Sequence, residues 1–153
     1  MKSKTRFVLK ALALVYALAF IGTILAPLAE AAELDVTYLA VSEHFRSKTL
    51  NQYNHQFFSF EVRNGSEGWL LGTFTNSYFQ KSVMFGRTKH WPVADNFEAS
   101  LSYGAVSGYY KQNSCPRICP FVSPSITYTK YKYFRPRLSV MGAALVLSFS
   151  AKF

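Results

Sequence analysis

From Asp35 onward, apolar and polar residues alternate in short stretches, and no stretch repeats at helical spacing. Eight segments of strand length stand out between turn-like or charged breaks: 35–45, 54–63, 67–77, 80–90, 96–109, 120–130, 133–141 and 144–153. In the last, Leu145, Leu147, Phe149, Ala151 and Phe153 share one face, while Ser148, Ser150 and Lys152 share the other. In the fifth, Phe97, Ala99, Leu101, Tyr103 and Ala105 oppose Glu98, Ser100, Ser102 and Gly104. In the first, Leu39, Val41 and Phe45 oppose Tyr38, Ala40, Ser42 and His44. Asn64-Gly65-Ser66 is a hairpin signal, further turns are expected at Trp91 to Asp95 and near Tyr131, and a tight connection is expected at Gly142. The pattern predicts an all-β fold, an eight-stranded antiparallel up-and-down transmembrane β-barrel, apolar outside and polar within.

The residues before this pattern place the barrel in a cell. Lys2, Lys4, Arg6 and Lys10 precede an uncharged apolar run from Ala11 to Ala26, then Pro27 and the small-residue pattern Ala29-Glu30-Ala31. This reads as a secretory signal peptide over 1–31, removed on export, with the barrel domain over 32–153. A retained membrane helix is the competing reading. Residues 32–153 carry 13 Lys and Arg against 7 Asp and Glu, a balance that suits phosphate-rich headgroups or nucleic acid. Export selects the lipid and excludes nucleic acid. An aromatic content of 17% suits the girdles of a lipid-facing band. A polarity-alternating last strand with a closing aromatic resembles the end of a bacterial outer-membrane barrel, so the bacterial outer membrane is the expected location. In such a barrel both termini lie in the periplasm and odd-numbered strands run outward. Segments 46–53, 76–77 and 110–119 and the Gly142 turn would then face outside.

Chemistry is sparse. Cys115 and Cys119 favour a disulfide closing a small loop after export. The histidines at 44, 55 and 90 have no ligand spacing to them, and a redox motif would have two intervening residues rather than three. No Gly-rich phosphate loop or metal-ligand cluster occurs, so neither cofactor nor metal is expected. Parity does bring His44, at the outer end of strand one, level with Asn76 and Ser77 at the outer end of strand three. An imidazole beside a hydroxyl is the minimum for acyl transfer. Ser77 and Asn76 as plain turn residues, with an interfacial His44, are the alternative.

Several pieces in order resemble one family. His44 before a basic polar loop, Tyr53-Asn54, Asn76-Ser77, Pro92-Val93-Ala94-Asp95-Asn96-Phe97, the prolines at 120 and 124, and Phe153 together resemble the lipid A palmitoyltransferases (PagP). These are eight-stranded outer-membrane barrels that move an acyl chain from a phospholipid to lipid A. The resemblance implies an acyltransferase, acting as a monomer on a phospholipid donor and a lipid A or lipopolysaccharide acceptor. It places His44, Asn76 and Ser77 on catalytic positions and Tyr53 among the substrate-binding ones. Asn76 stands where the family has Asp, and an amide can neither act as base nor carry negative charge. An orienting or oxyanion-donating role is what Asn76 could still fill. The family also carries an amphipathic helix before its barrel, for which this chain has only a few residues.

Prolines flank gaps in the family's strand pairing through which lipid enters sideways. Pro120, Pro124 and Pro136 fall in strands six and seven here, so that seam should be weak. Counting from Asn76-Ser77 without a gap, Thr88 occupies the place of a glycine on the floor of the family's hydrocarbon pocket, which implies a shorter acyl group than palmitoyl. Below the pocket, parity points Glu61, Arg63, Glu98, Arg135, Arg137 and Lys152 inward as a plug of paired charges; a phosphate conduit is the alternative. The competing function is a non-enzymatic small outer-membrane barrel, an anchor, adhesin or surface-recognition protein. A lipid A deacylase lacks its His-x-Ser arrangement here, and a soluble lipocalin-like binder would place its apolar residues inward.

Overall fold

A computed structural model describes residues 32–45, 55–109 and 117–153; the expected signal peptide, Tyr53 and Cys115 lie outside these. Eight antiparallel strands close into a barrel: β1 (Glu33–His44), β2 (Phe58–Asn64), β3 (Glu67–Thr75), β4 (Lys81–Ala94), β5 (Phe97–Ser107), β6 (Ile118–Tyr128), β7 (Arg135–Met141) and β8 (Ala144–Lys152). Each strand pairs with its sequence neighbours, and β1 pairs with β8. Closure gives every strand a partner on both sides, which is what lets strands sit in hydrocarbon. Two-residue turns at Gly65-Ser66 and Gly142-Ala143 close the β2–β3 and β7–β8 hairpins where expected.

Alternation makes the barrel inside-out. Phe58, Phe60, Trp69, Leu71, Val83, Phe85, Val122 and Leu147 are exposed on the outer wall, whereas Ser59, Glu61, Ser82, Thr88, His90, Ser100, Thr127 and Ser150 are buried inside. A water-soluble protein would reverse that order; a hydrocarbon solvent requires it. Around one end, Phe97 packs on Tyr128 at 5.2 Å and Tyr133 on Phe153 at 5.6 Å, with Lys130 and Lys132 over the Tyr131 and Tyr133 rings. Aromatic rings capped by cations form a girdle at headgroup level. Leu71→Arg, on the outer wall in mid-strand, should therefore cost about 2–4 kcal/mol in a bilayer; a folding titration into vesicles that shows no loss would contradict a lipid-facing wall.

The strand pattern departs from expectation at three places. β1 carries a bulge between Tyr38 and Ala40, where Leu39 takes φ +54°. The extra residue resets the alternation: Asp35 and Thr37 point inward below it, Ala40 and Ser42 above it, and Tyr38 leaves the lumen face on which simple alternation placed it. β4 does not turn at Trp91 but continues to Ala94, with its turn at Asp95-Asn96. β2 begins at Phe58 rather than 54, because His55 instead bridges β1 and β3: its N–H donates to the Ala40 carbonyl at 3.1 Å, and its carbonyl accepts from Thr75 N–H at 2.6 Å.

Candidate functional site

The lower interior is ionic. Arg63 grips Glu98 with two nitrogens, at 2.9 and 2.7 Å. His90 stands between two carboxylates, Nε2 at 2.5 Å from Glu61 and Nδ1 at 3.0 Å from Glu98. Arg135 bonds Asp35 at 2.6 Å and reaches Glu98 at 3.5 Å, and Arg137 is fixed by Thr127 and Thr37. Gly68 faces this cluster because a Cβ there would collide with the Glu61 carboxylate. Parity identified five of these charged groups. It missed Asp35, hidden by the bulge, and His90, which lay in a stretch assigned to a strand end. Lys152 lies at the rim, paired to Glu33 at 2.6 Å.

Above the plug the barrel opens into a cavity of about 420 Å³. Its wall holds the buried apolar cluster of Leu70, Phe74, Met84, Val106, Cys119 and Phe121, together with the hydroxyls of Thr37, Ser59, Ser102, Ser123 and Ser148. Thr88 is not on that wall: it is buried and shares a hydrogen bond with Ser102 at 3.1 Å. The side chain that β4 contributes instead is Met84, on the same strand face nearer the upper end. Cys119 is in a disulfide, and Cys115 lies outside the described residues. Tyr109 packs edge-on against Tyr78 at 6.3 Å. Burial, and then the neighbouring Tyr78, push Tyr109 up to about 12, so it remains a neutral phenol on the cavity wall.

At the mouth, His44 ends β1 and Ser77 begins the turn after β3. His44 Nε2 and Ser77 Oγ are 3.0 Å apart, and both line the cavity. Asn76 is turned away from them. Its Nδ2 donates to Ser82 Oγ at 3.2 Å and to the Gly108 carbonyl at 2.9 Å. Its Oδ1 accepts from the N–H groups of Tyr78 and Gln80 at 2.9 and 3.0 Å. With both donors and the acceptor engaged, the amide has none left for an oxyanion. Asn76 is instead the clamp that fixes the turn bearing Ser77 to the end of β5. Gly108 completes that clamp: its φ is +92°, and a Cβ there would strike Ser82 Oγ. A carboxylate lacks the two donors, so Asn76→Asp should cost about 1–3 kcal/mol and lower the urea midpoint in micelles; an unchanged midpoint would remove the clamp.

One seam of the wall is short. β5 and β6 pair along eleven positions, but β6 and β7 register only at Ser125–Ser139, Ile126–Leu138 and Thr127–Arg137. Pro124 adjoins one end of that run and Pro136 the other, each lacking a ladder donor. Pro120 lies higher on β6 and borders the cavity. A second interruption lies above Tyr38, where β1 leaves its register with β2.

No family model and no curated protein matches the chain. Among solved structures it is similar to the crystal structure of Ail, the attachment invasion locus protein of Yersinia pestis, at TM-score 0.38 and 8% identity, over 80% of this chain and 97% of that one. The same protein in complex with the heparin analogue sucrose octasulfate gives 0.37 and 12%, over 80% and 99%. Scores at this level transfer no site residue and no activity. The architecture speaks for itself: a closed cylinder of eight strands, with a wall of large apolar side chains outside, a buried ionic cluster inside and an aromatic girdle, is a small β-barrel of the bacterial outer membrane.

Proposed function

We propose that this barrel is an acyltransferase that moves a fatty acyl chain from a phospholipid to lipid A or a related lipid, from a site at the extracellular end. The observation that carries the reading is the 3.0 Å contact between Ser77 Oγ and His44 Nε2 at the mouth of a largely apolar cavity. The imidazole takes the hydroxyl proton, and the oxygen attacks an ester carbonyl whose chain lies below it. The weak seam bounded by Pro124 and Pro136 is the side entrance for lipid. Met84 rather than Thr88 narrows the cavity, in keeping with an acyl group shorter than palmitoyl. Mass spectrometry of lipid A from cells expressing the chain should show an added acyl group that disappears when His44 is replaced.

A second reading, a non-enzymatic barrel acting as anchor, adhesin or surface-recognition protein, is favoured by Asn76. That residue holds the family's acidic position with an amide engaged entirely in structure. Lipid A of unchanged mass in the same cells would select it.

A further inference from the structure

The cavity wall carries a second hydroxyl–imidazole pair. Ser42 Oγ lies 2.6 Å from His55 Nε2, and His55 Nδ1 lies 2.7 Å from the Thr75 carbonyl oxygen. A carbonyl only accepts, so Nδ1 bears the ring proton and Nε2 presents its lone pair to the serine hydroxyl. This is the tautomer that a general base requires, fixed by a backbone group rather than by a carboxylate. His55 is itself held by backbone bonds to Ala40 and Thr75. Both side chains are buried, at 7% and 6% exposure, and both line the cavity. Ser42 and His44 stand two residues apart on the inward face of β1, so the two pairs share one chamber.

We propose that Ser42 is a nucleophile, with His55 as its base, toward the carboxylic ester of a long-chain lipid held in the cavity. Ser42 Oγ bonds to the ester carbonyl carbon while its proton passes to His55 Nε2. The carbon–oxygen bond to the alcohol breaks, and the alcohol leaves with the proton from Nε2. The product is an O-acyl serine. Water deprotonated by the same nitrogen then adds to that carbonyl, the bond to Ser42 Oγ breaks, and the fatty acid leaves as the serine regains its proton. Thr75 is a positioning residue through its carbonyl. The step stands independently of transfer at Ser77.

The test uses the full chain in detergent micelles, reacted with a long-chain alkyl fluorophosphonate and mapped by peptide mass spectrometry. A phosphonyl adduct on Ser42 is expected in the unaltered protein and equally in Ser77→Ala, falling at least tenfold in His55→Gln. Labelling only at Ser77, no labelling at all, or labelling of Ser42 untouched by His55→Gln overturns the proposal. Should His55→Gln fail to fold, as judged by heat-modifiable migration, the unaltered protein decides: incubated with a long-chain p-nitrophenyl ester it must carry an acyl group on Ser42, and an unacylated Ser42 overturns the proposal. Loss of lipid A acylation in Ser77→Ala with Ser42 still labelled would leave both assignments standing, each on its own readout.

Discussion

Glu98→Ala should destabilise the barrel by about 3–5 kcal/mol, the usual cost of removing one partner from a buried ionic cluster. Glu98 is the shared counter-charge of Arg63, His90 and Arg135. Without it Arg63 keeps a bond to the Gly65 carbonyl at 2.7 Å and a 3.9 Å contact to Glu33, His90 keeps Glu61 and Arg135 keeps Asp35. Each of the three donors then loses one acceptor on the side it turned to Glu98, in an interior that water reaches poorly. Glu67 provides the comparison, since it pairs with Arg87 and Lys89 on the partly exposed outer surface. Its removal should change stability by no more than about 1 kcal/mol. Urea midpoints of both variants in the same micelles decide the matter, and equal shifts would mean that the plug contributes no more than surface charge.

Replacing His44 with Asn should slow acyl transfer by about 10²- to 10⁴-fold, the range for loss of a positioned general base. Ser77→Ala should fall to the same floor. Because the two act on one proton, the double variant should be no slower than either single one. Initial rates with a defined phospholipid donor and purified lipid A, in mixed micelles, measure this directly. Additive losses, or a His44 variant as fast as the parent, would show that the 3.0 Å contact is a structural bond at the rim.

Much of the barrel could be read from period-two alternation, because in hydrocarbon every strand must keep one face apolar; Leu145 to Phe153 and Phe97 to Ala105 obey it without exception. The meeting of His44 with Ser77 was also legible, since strand parity fixes which ends are neighbours. What stayed hidden depended on single residues that break parity or on backbone partners. Leu39 resets the facing of β1, so Asp35 and Thr37 read as outward and escaped notice. His55 looked like the start of a strand, whereas its role depends on a carbonyl twenty residues away. Thr88 was placed by counting from Ser77, and no spacing argument separates a wall residue from one beneath the wall. Asn76 matched a catalytic position in order along the chain, yet its four hydrogen bonds could be seen only in space.

The extra residue at Leu39 lets a single strand serve two compartments. A β1 of uninterrupted pleat could present Asp35 and Thr37 to the interior, or Ser42 and His44, but not both sets. One register would then leave a carboxylate bathed in lipid and Arg135 without its mate; the other would turn the imidazole and the hydroxyl out into the bilayer. The sealed floor and the hydroxyl–imidazole mouth are thus joined by one inserted amino acid, and neither half could have been acquired along this strand while the other kept its orientation without it.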